Sequence, residues 1–382
     1  MRISRRSFLR TVGLGTAAGA AVPWPLAGVS SAVVFEPDRP RGTDGLVRLN
    51  SNENVYGPSK GTMEAIRAAV PSANRYPYMR YDELTTRVAS LHRVKPEQVV
   101  LGCGSTEILR MAAQAFLGTS KKLVQASPTF EALEYYTRSV GAEVAAVPLT
   151  ASFAHDLDGM RGRAASSTGL VYICNPNNPT ASITPRKDIE DFLGQLPSTV
   201  LVLIDEAYHH YAGESSRYVS FLDHPINDER VIVVRTFSKV YGLAGLRLGY
   251  GIASPAVASR IRAFATLDNV NGMVVRAAIA ALDDQQAVRE FVKRNADERQ
   301  EFFNQAMARM LKPIDSHANF VMINTHHPAA EVIQHFGKNN ILIGRRFPAM
   351  DSYIRVSLGT PSEMLEFWRV WDLLPYANMH HH

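Results

Sequence analysis

Short apolar runs punctuate the chain at residues 99–101, 123–125, 144–147, 170–174, 200–204, 231–234 and 249–252. Segments with apolar positions at helical spacing separate most of them, at 107–116, 130–140 and 186–193. Strand-like runs that alternate with helical patterns predict an α/β fold, its mostly parallel sheet covered by helices. Thr184-Pro185 reads as a helix N-cap followed by proline at the first helical position, where a missing amide does no harm. Thr360-Pro-Ser-Glu363 is a capping box, so a last helix is expected from there to about residue 374.

A long helical segment at about 287–310 marks a change of pattern. Beyond it, strands are expected at 318–324 and 353–358, within a smaller α/β domain spanning 283–379. The large domain is expected at 79–282, and segment 33–78 is expected to pack on the small domain and on a partner subunit. A chain of 382 residues exceeds one ordinary core, which accords with two domains.

Candidate chemistry collects just after the apolar strands. Lys239 lies in Arg235-Thr-Phe-Ser-Lys-Val-Tyr-Gly-Leu-Ala-Gly-Leu-Arg247, directly beyond the run at 231–234. A desolvated lysine loses its proton easily and forms a Schiff base with an aldehyde. Thr236, Ser238 and Arg247 beside it would suit a phosphate. An aldehyde and a phosphate on one small molecule suggest pyridoxal 5′-phosphate, although a surface turn with ordinary basic residues would read the same in isolation. Asp205 ends a second apolar run and could pair with a protonated pyridine nitrogen, while Tyr208 could reach the ring hydroxyl. Asn178 lies in Asn175-Pro-Asn-Asn-Pro-Thr-Ala181, after the run at 170–174. Singly, these residues are also what helix caps and turns use. Together they fall where open α/β sheets place ligands, at the carboxyl ends of the strands.

The set resembles the fold-type I pyridoxal phosphate-dependent aminotransferases, and within them the histidinol-phosphate aminotransferase group. The resemblance runs from about Val47 to Trp371. It includes Leu49-Asn-Ser-Asn-Glu-Asn-Val-Tyr-Gly-Pro58, Arg75-Tyr-Pro77, Gly102-Cys-Gly-Ser-Thr-Glu107, Ser127-Pro-Thr-Phe130, Asp205-Glu-Ala-Tyr208, Ala318-Asn-Phe320 and Tyr353-Ile-Arg-Val-Ser-Leu-Gly-Thr360. It implies an aspartate aminotransferase-like sheet domain in which Lys239 holds the cofactor and shuttles a proton. It further implies that Asp205 pairs with the ring nitrogen, Asn178 and Tyr208 bind the ring oxygen, and Phe130 stacks on the ring face. Ser105 and Thr106 would open a helix that meets the phosphate, with Thr236, Ser238 and Arg247 completing the cradle. Tyr76 would reach the cofactor phosphate of the other subunit of a homodimer. Arg355 would clamp the substrate carboxylate, and Tyr56 with Arg345 or Arg346 would face its far end. Ala181 departs from the pattern, which usually has glycine there. If that position needs a positive φ, alanine is strained.

Composition changes the picture only at the N-terminus. The formal net charge is +5, but four arginines precede residue 33 and supply most of it, so nothing points to nucleic acid. They lie around Ser4-Arg-Arg-Ser-Phe-Leu-Arg10, which resembles a twin-arginine export motif. A mildly apolar stretch follows at 12–27, broken by Pro23 and Pro25 and short of the ~20 residues that a spanning helix needs. Residues 1–32 therefore read as a signal peptide, with Ser30-Ser-Ala32 the preferred cleavage site and Pro25-Leu-Ala27 the next. The expected destination is the periplasm, through the twin-arginine machinery and with no stable membrane anchor. That route carries folded proteins, so a cofactor can be loaded first. Cys103 and Cys174 are expected to be buried thiols rather than a disulfide. No CxxC or HExxH spacing suggests a metal, the pairs His209-His210 and His326-His327 are expected in loops, and 380–382 read as a tag remnant.

The expected function is an exported aminotransferase that takes an amino donor and a 2-oxo acid. A lyase, a racemase or an oxygen-using amino-acid oxidase could run on the same residues. A non-catalytic binding protein sits poorly with Lys239, Asp205, Arg247 and Arg355 together.

Overall fold

The computed structural model describes residues 45–375, apart from 78, 79 and 214. The signal-peptide and terminal-histidine readings, at 1–32 and 380–382, lie outside the described residues. After a short β1 (Val47–Leu49) come β2 (Val99–Gly102), β3 (Lys122–Ser127), β4 (Val144–Pro148), β5 (Thr168–Cys174), β6 (Leu201–Asp205), β7 (Val231–Thr236) and β8 (Gly249–Ile252). The last seven form one sheet in the order β2-β8-β7-β6-β5-β3-β4. β8 runs antiparallel to both of its neighbours, and the other pairs are parallel.

Successive side chains of a strand point to opposite faces. Here Val171, Ile173, Val202 and Ile204 enter one apolar cluster, while Leu170, Tyr172, Cys174 and Leu203 enter another. Both faces of the sheet are thus covered, which is why its strands are continuous apolar runs rather than alternating ones. Each such side chain contributes about 1.5–3 kcal/mol on burial. The polar residues begin where the strands end, and that edge carries the site.

The C-terminal part contains β9 (Phe320–Asn324), β10 (Ile341–Ile343) and β11 (Tyr353–Ser357). β9 pairs antiparallel with β11, and β1 pairs parallel with β10, which ties the N-terminal segment to this part. Their core gathers Phe302, Phe336, Phe367, Trp368 and Trp371. The helix Gln285–Ala308 leads into it, and Pro361–Trp371 closes it with the expected reciprocal cap between Thr360 and Glu363. No helix among the described residues is long and apolar enough to cross a membrane.

Three expectations are corrected. Thr184 does not cap a helix: Pro185 holds the cap position of Arg186–Gln195 without a side-chain bond. Thr184 is engaged elsewhere, its hydroxyl accepting from the His155 amide at 2.9 Å and its own amide donating to Asn175 Oδ1 at 3.0 Å. Cys103 is exposed, because it lies in the turn beyond β2, whereas Cys174 is buried within β5. His209 and His210 are not in a loop but open the one-turn helix His209–Ala212, their Nε2 atoms 3.1 Å apart. Burial holds both rings well below the usual histidine range.

Candidate active site

Lys239 lies three residues past β7. Its Nζ donates to the carbonyl oxygens of Asn52 at 3.0 Å and Ser51 at 3.3 Å. Burial, and then the guanidinium of Arg355, bring its ammonium down to about 8. Asp205 is the last residue of β6 and is 1% exposed. Tyr172 donates its hydroxyl to Oδ2 at 3.0 Å, and the Ala207 amide donates to Oδ1 at 3.1 Å. No cation pairs with it among the described residues, and burial pushes its carboxyl up to about 6. A buried carboxylate without a positive partner is costly, and a protonated ring nitrogen would supply one. Tyr208 is 3% exposed, and burial raises its phenol.

An anion cradle adjoins these groups. The helix Ser105–Phe116 starts behind Gly104, whose φ of 77° suits glycine. A Cβ on Gly104 would lie 2.1 Å from Arg247 Nη2, and one on Gly249 would lie 2.3 Å from the Ser105 nitrogen. The two glycines therefore let a guanidinium and a helix start close on the same space. Arg247 donates to Thr106 Oγ1 at 3.2 Å and to Ser238 Oγ at 3.3 Å. Thr236 Oγ1 accepts from the Ser238 amide at 3.1 Å, which shapes the turn. The first-turn amides of Ser105 and Thr106 have no helical acceptor, so they can meet a phosphate.

Arg355, on β11, crosses to the sheet part. It donates to Asn178 Oδ1 and to the Asn50 carbonyl, both at 2.8 Å, while its buried Nε has no partner among the described residues. Its guanidinium lies 5.5 Å from the Phe320 ring and 5.3 Å from that of Phe347, and burial lowers it to about 10. Ala181, in the Asn178 turn, is fully buried at φ 58°, so the suspected left-handed alanine is real.

The remaining candidates are more dispersed. Phe130 is half-buried beyond β3 against the second apolar cluster. Arg345 pairs with Glu131 and lies 4.3 Å from the Phe347 ring, and Arg346 pairs with Asp351. Tyr56 instead stacks on Phe291, with Arg294 4.8 Å from its ring, against the long helix. Tyr76 is 70% exposed. Sequence reasoning missed Tyr172, Asn52 and Asn319 as site residues. Asn319 Nδ2 donates to the carbonyls of Asn52 and Glu53, at 3.0 and 3.1 Å. The only sequence signal for Asn52 is its place in the Asn-Ser-Asn-Glu-Asn run, and Tyr172 looks like any core aromatic.

Each of these groups answers to a different part of one small molecule: an amine for an aldehyde, a carboxylate for a pyridinium, a cradle for a phosphate. The fold and site define a pyridoxal 5′-phosphate-dependent transferase of fold type I. The chain belongs to the class I and II aminotransferase family, whose model matches residues 44–369. It is 37% identical over 337 residues to histidinol-phosphate aminotransferase 2 of Carboxydothermus hydrogenoformans, covering 87% of this chain and 92% of that protein. It is 35% identical over 285 residues to the aromatic amino acid aminotransferase of Cutibacterium acnes, covering 74% of this chain and 80% of that protein. Among solved structures, histidinol-phosphate aminotransferase from Sinorhizobium meliloti in complex with pyridoxal-5′-phosphate superposes with a TM-score of 0.80 at 26% identity, covering 88% of this chain and 92% of that one.

Proposed function

We propose that this chain is an exported aminotransferase that moves the amino group of an L-amino acid or related amine to a 2-oxo acid. The carrying observation is Lys239, whose buried Nζ is held by the carbonyls of Ser51 and Asn52 and lies 5.5 Å from the Tyr208 ring. Bound pyridoxal phosphate would supply a ring that accepts the electron pair left when the substrate α-carbon loses its proton. Lys239 binds the cofactor and, when freed, takes that proton at Nζ and returns it. Asp205 keeps the ring nitrogen protonated, Asn178 and Tyr208 hold the ring oxygen, and Phe130 covers the ring face. Ser105, Thr106, Thr236, Ser238 and Arg247 hold the phosphate, joined by Tyr76 from the other subunit of a homodimer. Arg355 meets the substrate carboxylate, and Arg345, Arg346 and Tyr56 serve its far end.

The relatives act on histidinol phosphate and on aromatic amino acids by their names. Histidine synthesis is not expected outside the cytoplasm, so an amino-acid donor fits the proposed export better. The Ser4-Arg-Arg-Ser-Phe-Leu segment supports that export. Two experiments test the reading. Borohydride treatment of the yellow protein should place the reduced cofactor adduct on Lys239; an adduct on another lysine defeats the assignment. A panel of amino donors with 2-oxoglutarate should yield keto acid, and a product balance of ammonia or peroxide would instead mark a lyase or an oxidase.

A further inference from the structure

The residue that holds Tyr208 comes from the other end of the chain. Asn52 is 1% exposed and sits at φ 54°, a left-handed conformation that asparagine tolerates better than most residues. Its backbone amide donates to Ser357 Oγ at 2.8 Å. Ser357 Oγ in turn donates its own hydrogen to Asn52 Oδ1 at 3.3 Å. With Ser357 donating to Oδ1, the carboxamide oxygen faces Ser357 and its nitrogen faces Tyr208. Nδ2 then donates to Tyr208 Oη at 3.1 Å. Tyr208 is therefore an acceptor toward the protein, and among the described residues its own O–H has no protein acceptor.

We propose that Asn52, locked by Ser357, is a positioning residue that directs the Tyr208 proton toward the cofactor's ring oxygen. The proposal rests on the assignment of Tyr208 to that oxygen. A phenol has one proton to donate. A donor behind the oxygen leaves that proton free to point forward; an acceptor in the same place would claim it. Asparagine supplies the donor, and the hydrogen that Ser357 gives to Oδ1 supports that orientation of the amide. Ser357 lies two residues beyond Arg355 on β11, so the strand that carries the guanidinium also carries the lock.

The test uses the holoenzyme and reads the pH midpoint of the bound cofactor's visible absorbance. Cofactor affinity and thermal melting are measured alongside on the apoprotein. A proton donated to the ring oxygen stabilises its negative charge and lowers the proton affinity of the neighbouring lysine–cofactor nitrogen. Tyr208→Phe sets the reference by raising that affinity. Asn52→Asp, which turns the donor into an acceptor, should raise it by about five- to ten-fold, the scale of one hydrogen bond. Asn52→Gly keeps the left-handed backbone and removes only the side chain, so it should give a smaller rise, as should Ser357→Ala. These two variants carry the test if Asn52→Asp does not fold. In the Tyr208→Phe background, Asn52→Gly should add no further shift. If Tyr208→Phe moves the midpoint and the Asn52 variants do not, the proposal falls alone. A shift by Asn52→Gly that survives in the Tyr208→Phe background also overturns it. If Tyr208→Phe leaves the midpoint in place, the Tyr208 assignment fails and the proposal with it. A merely structural role would lower melting temperature without moving the midpoint.

Discussion

Asp205 is a carboxylate enclosed at the end of an apolar strand, and burial raises it to about 6. Its unfolded value is about 3.9. Between these values the folded apoprotein binds more protons than the unfolded chain. The stability that protonation gives is therefore full below about pH 4 and is lost as pH rises through about 6, on the order of 3 kcal/mol in all. Urea unfolding of the apoprotein across that window should show the decline, and Asp205→Asn should flatten it while cutting substrate α-proton exchange by orders of magnitude. An undiminished slope in the variant would assign the titration to other carboxylates. The arginines separate by geometry in the same way. Arg355 has a buried Nε with no partner among the described residues, so Arg355→Lys should weaken every amino-acid substrate alike through loss of the planar fork. Arg345 is half-exposed and pairs with Glu131, so Arg345→Ala should instead reorder a substrate panel, most for anionic tails. An unchanged order would remove Arg345 from the far-end pocket.

At the scale of elements, the turn after β6 is tied to the end of β7 by a buried ion pair. Arg235 donates to Glu206 at 3.0 Å, with side-chain exposures of 5% and 1%, and also to Ser220 and Asp223. Arg235→Met would leave Glu206 buried without a cation, at a cost of about 3–5 kcal/mol in urea unfolding. A loss under about 1 kcal/mol would mean that Ser220 and the Phe221 amide suffice for Glu206. The sheet strands were legible because both faces are covered, so each is a plain apolar run with a polar residue at its end. Asn178, Asp205 and Lys239 stood out for the same reason. β1 and β10, three residues each, are too short to show any period. Tyr172 was not legible because only its hydroxyl, at the end of a core aromatic, has a polar task. Asn52 was hidden by distance, since its partners Tyr208 and Ser357 lie 156 and 305 positions away.

For the whole molecule, Tyr76 is 70% exposed, in keeping with its proposed reach to the site of a partner subunit. A mixing experiment decides which subunit Tyr76 serves. Inactive Lys239→Ala and Tyr76→Ala chains, unfolded together and refolded, form heterodimers in half of the cases. If Tyr76 crosses to the partner, one site of each heterodimer has both residues intact, and about one quarter of wild-type activity returns. If it serves its own subunit, every site carries a defect and none returns. The bond between Asn52 and Ser357 has a separate meaning for the chain as it is made. Residue 52 leaves the ribosome well before residue 357, so the segment that docks the lysine amine waits for its anchor while the residues between them are made. A chain cut short before β11 has the lysine but lacks Arg355 and Ser357, the residues of that strand that hold Asn50 and Asn52 in place.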